Sequence, residues 1–342
     1  MPASDILIVE REPALGGILK QCIHNGFGLH RFDEELTGPE YAQRDIDAVE
    51  AAGVPYLLDA TVLSLSRERT ATIVSTQEGL VSLQADAVVL AMGSRERTRG
   101  MLGIAGSRPS GIYTAGTAQA FVNLRGELPG KRIVMLGSGD IGLIMARRLT
   151  YEGCEVLCVL NRSSFSGGLK RNIVQCLDDY DIPLIFNRTI TAVHGNARLT
   201  GVTVSHVDPA TKRPIPGTEE LVSCDTLLLS AGLMPENELT RAAGIELDDG
   251  TGGAVVDQTF QTGAPGIFSA GNVLHVHDLV DYVSEEGLEA GACAAGFVMG
   301  TRANASTFEQ DAGSFMHVNG GAGVGAPVPQ YIARGADGDV TI

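Results

Sequence analysis

The chain of 342 residues carries a formal net charge of −16 at pH 7, and 44% of its residues are apolar. This length predicts two domains, and the acidic balance without a basic stripe argues against a nucleic-acid partner. No apolar run reaches membrane-spanning length, so we expect a cytoplasmic protein without a membrane span.

The first predicted element is a buried strand over Asp5–Val9 that ends on Glu10. An acid at the end of the second strand of a dinucleotide-binding unit usually binds a ribose, about 20 residues after a glycine-rich turn. Only nine residues precede Glu10, and they contain no such turn. We therefore expect the first unit to lack its opening strand and helix.

The most regular segment, 130–161, predicts a complete dinucleotide-binding unit. Arg132–Leu136 is an apolar strand, the sequence G-S-G-D-I-G follows it, and E-V-L-C-V-L forms a second strand after a helix. In this context Gly137 permits the tight turn, Gly139 lets a diphosphate approach the backbone, and Gly142 lets the helix pack on the strand. The alternative is a glycine turn that only packs a helix closely. The apolar face of the helix consists of Leu143, Ile144, Ala146 and Leu149.

The two halves of the chain resemble each other in the same order, which predicts two copies of one α/β unit. The matching segments are 7–21 with 158–172, 57–65 with 184–193, and 86–95 with 225–236.

The segment 259–297 predicts a strand, an A-G-N turn and a helix rich in small residues, which allow close approach to a flat ligand. His275 and His277 could share one face of an extended stretch, as metal ligands do. Two ligands do not make a site, so we predict no metal.

The six cysteines form no C-x-x-C pair, which argues against a zinc site and a redox dithiol. The tail ends in G-D-V-T-I, a pattern typical of a strand beginning.

These motifs together resemble a known class of proteins. They are L-G-G after Glu10, L-A-M-G-S-R, G-S-G-D-I-G, L-L-L-S-A-G-L-M-P-E-N-E-L and G-I-F-S-A-G-N-V. From about residue 5 to 300 the chain resembles the pyridine nucleotide-disulfide oxidoreductase class of flavoproteins. More narrowly, G-G-I-L-K-Q-C-I-H-N-G-F-G and G-N-V-L-H-V-H-D-L-V-D-Y-V-S-E-E resemble the FAD-dependent oxidoreductases associated with bacterial glycerol-3-phosphate dehydrogenase systems.

The resemblance implies an α/β fold of two nested Rossmann-like domains, the first of them without its opening βα unit. The FAD-binding domain would comprise 1–105 and 236–300, and the NAD(P)-binding domain 125–235. Residues 301–342 would be a tail or the start of a truncated small β domain.

The resemblance also implies the residues that bind each coenzyme. Glu10 would bind the adenosine ribose of FAD, and the A-G-N turn its phosphate and ribityl chain. The residues implied for FAD are Glu10, Gly16, Gly17, Val62, Ala91, Met92, Gly93, Gly271, Asn272 and Val273. Those implied for NAD(P) are Gly137, Gly139, Ile141, Gly142, Asn161, Arg162 and Gly232.

Two positions depart from the class. Asn161 stands where an acid would select NAD, and the adjacent Arg162 could meet a 2′-phosphate, so NAD and NADP both stay open. Asn272 stands where many relatives carry Asp, and either residue can accept a hydrogen bond from a ribityl hydroxyl.

Two polar clusters could border the flavin ring. One consists of Cys22 and His24, and the other of His275, His277 and the neighbouring acids Glu285 and Glu286. Cys22 could be a reactive thiol or a buried thiol in a turn. Each histidine could donate a proton near the flavin or be a hydrogen-bonded spectator.

These features favour an FAD-dependent oxidoreductase that transfers hydride between NAD(P)(H) and bound flavin. Without a dithiol, electrons would pass to a small-molecule acceptor or to another subunit of a dehydrogenase complex. The alternatives are a non-catalytic nucleotide-binding or assembly subunit, favoured by the missing first turn, and an inactive truncated fragment.

Overall fold

The computed structural model of the chain describes residues 1–300, 307–318 and 325–334. The chain divides into two compact units. The first unit comprises Met1–Lys20, Asn25–Arg95 and Met234–Ile342, and the second comprises Gln21–His24 and Glu96–Leu233.

The described residues form six α-helices and 22 strands. The helices are α1 (Gly38–Ala52), α2 (Ala115–Ala120), α3 (Asp140–Tyr151), α4 (Lys170–Cys176), α5 (Glu238–Ala242) and α6 (Val280–Val298). The strands are β1 (Ile8–Val9), β2 (Asn25–Phe27), β3 (Leu36–Thr37), β4 (Tyr56–Leu57), β5 (Ala60–Leu65), β6 (Thr70–Ser75), β7 (Gly79–Gln84), β8 (Val88–Leu90), β9 (Ser94–Glu96), β10 (Ala105–Gly106), β11 (Ile112–Thr114), β12 (Arg132–Leu136), β13 (Glu155–Asn161), β14 (Leu184–Phe186), β15 (Arg188–Gly195), β16 (Leu199–His206), β17 (Glu220–Val222), β18 (Thr226–Leu229), β19 (Leu233–Pro235), β20 (Ile267–Ser269), β21 (Phe315–His317) and β22 (Tyr331–Ala333).

A five-stranded parallel sheet forms the centre of the second unit, with the strand order β11-β18-β12-β13-β14. The predicted strand Arg132–Leu136 is confirmed as β12, and the second predicted strand of this unit is β13. Alternate residues of β12 enter different cores because side chains along a strand point to opposite faces. Ile133 and Met135 pack with the α2 and α3 side, whereas Val134 and Leu136 pack against the mixed sheet β10-β15-β16-β17.

Helix α3 covers one face of this sheet. Leu143, Ala146 and Leu149 are buried, as the apolar spacing predicts, and Met145 is buried with them. Ile144 is only partly buried against the same core. The helix therefore follows β12 directly and packs back onto the sheet, so its amino end lies at the carboxyl end of β12.

The first unit also contains parallel and antiparallel strand pairs, but its parallel strands are shorter. Strand β1 pairs in parallel with β4, and β8 pairs in parallel with β20, while β5, β6 and β7 form an antiparallel sheet. The predicted strand Asp5–Val9 is too long, because Ala3–Asp5 forms a 3-10 turn and the strand covers only Ile8–Val9.

The internal repeat aligns β1 with β13, β4 with β14 and β8 with β18. In the second unit β12 lies between β18 and β13 and pairs with both. In the described part of the first unit, no strand lies between β8 and β1. The burial differs accordingly: β18 is buried at every residue, whereas Val89 at the centre of β8 is 40% exposed.

The C-terminal segment is described only in part. Strands β21 and β22 pair antiparallel, with Met316 opposite Ile332. The G-D-V-T-I sequence expected to begin a strand lies outside the described residues. Among the described helices, none combines the length and apolar character needed to cross a bilayer.

Candidate functional site

The turn between β12 and α3 is built from glycines for two different reasons. Gly137 has a φ of +108°, and a Cβ there would stand 1.9 Å from the Ser230 carbonyl oxygen. A Cβ on Gly142 would stand 2.9 Å from both the Gly137 oxygen and the Ser230 Cβ. Both glycines are therefore required by close backbone packing.

Gly139 is different because it faces open space. A Cβ on this residue would find no atom within 4 Å, and its φ of −72° suits any L-residue. Gly139 is the N-cap of α3 and offers no side-chain acceptor to the helix. The first turn of α3 thus presents unpaired N–H groups and a positive dipole end toward the open side of Gly139, a geometry that binds phosphates.

Ser138 and Asp140, two of the three variable residues of the glycine motif, hold the loop after β13. The Asp140 carboxylate accepts hydrogen bonds from the Leu169 amide at 2.9 Å and from Asn172 Nδ2 at 2.6 Å. Ser138 is buried, and its Oγ accepts from Asn161 Nδ2 at 2.6 Å. Sequence reasoning missed both residues, since nothing in the motif constrains these positions.

Asn161, at the end of β13, makes hydrogen bonds to the glycine turn and to the loop that follows β13. Besides Ser138 it donates to the Phe165 carbonyl at 2.7 Å, and its Oδ1 accepts from the Ser163 amide at 3.1 Å. Its two amide hydrogens are therefore both engaged. A ribose hydroxyl would have to donate to Oδ1, which has a second lone pair.

Arg162 lies beside Asn161 and is anchored to a neighbouring loop. Its Nε and Nη2 donate to the Lys212 carbonyl at 3.0 and 2.5 Å.

The other two residues predicted to bind NAD(P) are Gly232 and Ile141. Gly232 has a φ of +98°, and its carbonyl accepts from the Arg97 amide at 3.1 Å. Ile141 is partly buried against the hydrophobic core that α3 covers.

In the first unit, Glu10 follows the carboxyl end of β1. Its backbone pairs with Leu57 and Ala60, and its Oε1 accepts from the Glu12 amide at 2.9 Å. Gly16 and Gly17 follow with φ of 106° and 52°, in the left-handed region that glycine favours.

The other predicted flavin contacts lie near strand ends or on the antiparallel sheet. Ala91–Gly93 follow β8, and Gly93 has a φ of +74° with open space where a Cβ would stand. Val62 lies on β5. Gly271, Asn272 and Val273 form a 3-10 turn just after β20. Val273 is fully buried, and its carbonyl accepts from Asn237 Nδ2 at 2.7 Å.

Glu286 ties the A-G-N turn to α6. Its Oε1 accepts a hydrogen bond from the Gly271 amide, and its Oε2 lies 2.9 Å from Nε2 of His275 and 3.4 Å from Nε2 of His277. Burial opposes its ionisation, but the two imidazoles and the Gly271 amide outweigh burial and lower the pKa of Glu286 to about 2. Of the two adjacent acids, Glu286 is buried and Glu285 is exposed.

Cys22 and His24 belong to the second unit. Burial raises the pKa of the Cys22 thiol to about 11, and its Sγ lies 3.7 Å from Gln119 Oε1 as a hydrogen-bond donor. A thiol of this kind stays protonated at neutral pH, which favours the buried-thiol interpretation over a reactive one. Burial and the nearby Arg147 lower the pKa of His24, partly opposed by Asp140.

The family model for "Pyridine nucleotide-disulphide oxidoreductase" matches residues 6–293. The chain belongs to this family. Members of the family are oxidoreductases that use FAD and NAD(P)H.

Curated relatives match the chain at moderate identity. An opine oxidase subunit of Rhizobium meliloti is 29% identical over 287 residues, which are 78% of this chain and 53% of that protein. Thioredoxin reductase of Mycolicibacterium smegmatis is 27% identical, covering 77% of this chain and 78% of that protein. The ferredoxin reductase component of a Cupriavidus chlorobenzene dioxygenase is 28% identical over 68% of this chain and 51% of that protein. The chain spans about half the length of the opine oxidase subunit it matches.

Solved structures show the same fold. Thioredoxin reductase of Lactococcus lactis superposes with a TM-score of 0.68 at 19% identity, covering 86% of this chain and 91% of that one. The enzyme from T. acidophilum superposes with a TM-score of 0.64 at 21% identity, covering 86% and 90%. The predicted α/β fold with Rossmann-type nucleotide-binding domains is confirmed.

The two family coenzymes fit the described residues to different degrees. The glycine turn, the open face of Gly139 and the amino end of α3 together fit the diphosphate of NAD(P). For FAD, Glu10 and Gly93 lie just beyond the carboxyl ends of parallel strands, where nucleotides bind in such sheets. Among the described residues, no strand lies between β8 and β1, so these strands present no counterpart of β12 and of the glycine turn that follows it.

Proposed function

We propose that this chain acts as an FAD- and NAD(P)-dependent oxidoreductase whose second unit binds the nicotinamide coenzyme. The observation that carries the proposal is the turn at Gly137–Gly142, in which two glycines are required for packing and the third opens the amino end of α3. When bound, the flavin would exchange a hydride with the nicotinamide. The chain's own residues would hold the diphosphate and orient the coenzyme.

The electrons would leave to a small-molecule acceptor or to a partner subunit. The sequence contains no C-x-x-C pair, and Cys22 has a raised pKa, so a protein dithiol is not available as the route. The similarity to an opine oxidase subunit and to a dioxygenase ferredoxin reductase component supports a multicomponent electron-transfer system. The narrower resemblance to oxidoreductases associated with glycerol-3-phosphate dehydrogenase systems and a cytoplasmic location remain predictions.

In this proposal Arg162 decides between NADPH, which carries a 2′-phosphate, and NADH, which does not. Its Nε and Nη2 are anchored on Lys212, which fixes the guanidinium next to the end of β13. If that group meets a 2′-phosphate, Arg162→Gln should raise the KM for NADPH about tenfold and leave that for NADH unchanged, because NADH lacks the phosphate. Equal effects on both coenzymes would assign Arg162 to loop structure alone.

A non-catalytic nucleotide-binding or assembly subunit is the second candidate. The observation that favours it is the separation of β1-β4 from β8-β20, with no strand between them among the described residues. Such a protein would bind NAD(P)H without reducing added flavin.

The deciding experiment compares binding with reduction. Purified protein is supplied with FAD under argon and titrated with NADH or NADPH, while coenzyme binding is measured by calorimetry and reduction by the loss of visible flavin absorbance. We expect saturable bleaching with the wild-type protein. Gly139→Ala should weaken coenzyme binding at least about tenfold, because its methyl group enters the open face where the diphosphate would lie.

Gly100→Ala is the matched control, since Gly100 is exposed in the same unit and has room for a Cβ. Binding without bleaching would support the non-catalytic candidate. Coenzyme binding that Gly139→Ala leaves unchanged would contradict the assignment of the second unit.

A further inference from the structure

The fold brings the Glu286 carboxylate to His275 and His277 as a third potential metal ligand. Sequence spacing offers two histidines, which do not make a metal site. The fold adds the Glu286 carboxylate from α6, so that the ligating atoms of all three residues lie within 4.8 Å of one another. The sequence alone predicts no metal, whereas the fold places three potential ligands together.

The Nε2 atom of His277 is the observation that points to a bound ligand. His275 Nε2 makes an aligned 2.9 Å hydrogen bond with Glu286 Oε2, whereas His277 Nε2 lies 3.4 Å from the same oxygen without hydrogen-bond geometry. That nitrogen is buried and has no hydrogen-bond partner among the described residues, and the His277 side chain is only 9% exposed. A buried nitrogen without a partner is costly unless something else binds it.

The distances suit a tetrahedral metal ion. Zinc binds imidazole nitrogen and carboxylate oxygen at about 2.0–2.2 Å, which separates neighbouring ligand atoms by about 3.3 Å. The Nε2 atoms of His277 and His275 lie 3.4 and 2.9 Å from Glu286 Oε2. An ion at these distances needs His275 Nε2 to lie a few tenths of an ångström farther from Glu286 Oε2, and His275, at 29% side-chain exposure, is the least buried of the three.

The backbone also positions the three ligands. The His277 amide donates to Asn272 Oδ1 at 3.1 Å, and the His275 amide donates to the Gly271 carbonyl at 3.2 Å. The second oxygen of Glu286 accepts from the Gly271 amide, which orients the carboxylate as outer hydrogen bonds do at metal centres. The two imidazole rings stand 3.9 Å apart between centroids, so both project to one side of the turn.

We propose that His275, His277 and Glu286 bind one Zn²⁺ ion, with the fourth position open to water or a small anionic ligand. Two imidazoles and one carboxylate form a ligand set that zinc uses when one position is left open. Binding joins the A-G-N turn to α6. The proposal does not depend on the coenzyme assignment.

The test uses the untagged, chelator-treated full chain and Co²⁺ as a spectroscopic probe. We expect one equivalent of Co²⁺ to produce the visible absorption of a four-coordinate nitrogen- and oxygen-ligated ion, and one equivalent of Zn²⁺ to displace it. The sulfur-to-cobalt charge-transfer bands of cysteine ligation should be absent, because burial raises the pKa of Cys158 and Cys224, which disfavours their thiolates. Calorimetry gives the stoichiometry and affinity.

Variants separate a metal site from a hydrogen-bonded cluster. Glu286→Gln can still accept from the Gly271 amide but loses the charge, and should weaken Zn²⁺ binding at least about 100-fold. Glu285→Gln, which alters the exposed neighbour on the same helix, should bind like the wild type. Should Glu286→Gln fail to fold, His275→Asn, at a more exposed ligand, gives the same comparison.

The proposal is wrong if the wild-type chain binds no stoichiometric Zn²⁺, or if Glu286→Gln and His275→Asn bind it as tightly as Glu285→Gln does. The cluster is then a hydrogen-bonded histidine–carboxylate group only. Cobalt bands of thiolate ligation would also overturn it, since they would move the metal to a cysteine site.

Discussion

Asp225 illustrates how one side chain joins the starts of two strands in the second unit. Its carboxylate accepts hydrogen bonds from the Lys131 and Arg132 amides, at 3.0 and 3.1 Å, and from the Thr226 hydroxyl at 2.8 Å. Burial opposes its ionisation, but the Thr226 hydroxyl, these amides and the nearby Arg198 outweigh burial and lower the pKa of Asp225. Its negative charge therefore stabilises the starts of β12 and β18.

The pH dependence of this contribution follows from its direction. A carboxyl whose folded pKa is lowered stabilises the fold above its unfolded pKa, and that contribution is lost as the pH falls through the folded pKa. Asp225→Asn should lower the free energy of unfolding at pH 7 by on the order of 1 kcal/mol, given its partial exposure. The difference from wild type should shrink below about pH 4 in urea denaturation. Asp249→Asn, at an exposed acid of the other unit, is the control, and a pH-independent difference would contradict the argument.

The thiol of Cys22 allows a second test at the residue scale. Alkylation proceeds through the thiolate, so a pKa of about 11 should make Cys22 react with iodoacetamide at pH 8 roughly 200-fold more slowly than a thiol of ordinary pKa. The rate should rise about tenfold for each pH unit up to about pH 11. Peptide mass spectrometry follows the modification, with glutathione as the reference thiol. Rapid labelling at pH 8 would restore the reactive-thiol interpretation.

The element scale shows why some residues of the site could be predicted and others could not. Gly137 and Gly142 were predictable because the turn between a strand and a helix excludes a Cβ wherever backbones approach this closely. The choice of Glu286 over Glu285 was not predictable, since it depends on the rotation of α6, which tertiary packing sets. Strand β1 was predicted too long for a related reason: the apolar pattern continues through Ile6 and Leu7, but these residues are exposed and have no strand partner.

Alanine substitutions in the β12–α3 turn should distinguish, by their effect on stability, the glycine required for packing from the glycine that leaves room for a ligand. Gly137→Ala places a Cβ 1.9 Å from the Ser230 oxygen in a left-handed conformation, so it should destabilise the second unit by about 2 kcal/mol or more. Gly139→Ala should leave the melting temperature within a few degrees, because its Cβ meets open space. Differential scanning calorimetry compares the two variants. If both destabilise equally, the open face of Gly139 does not exist as described.

At the scale of the whole molecule, the repeated units differ in how completely their parallel sheets are built. The order of the segments and the complete second unit could be predicted, because each strand and helix there has a periodic apolar pattern and a glycine turn between them. The first unit's parallel strands form two separate pairs, β1-β4 and β8-β20. How these strands pair could not be read from the sequence, since it depends on long-range packing.

This difference predicts unequal protection of backbone amides from hydrogen exchange. In β1 the Ile8 amide donates to the Pro55 carbonyl, and in β8 the Val88 amide donates to the Gly266 carbonyl. Because successive amides along a strand point to opposite edges, the N–H groups of Val9 and Val89 point to the other edge of each strand. Those edges have no partner strand among the described residues. We expect Val9 and Val89 to exchange within seconds to minutes and Val88 more slowly, whereas Met135, between two partner strands, should exchange only through large-scale opening. Hydrogen exchange measured by NMR tests this. If Val9 and Val89 were protected as strongly as Met135, the free edges of β1 and β8 would have to be covered, which would contradict the prediction.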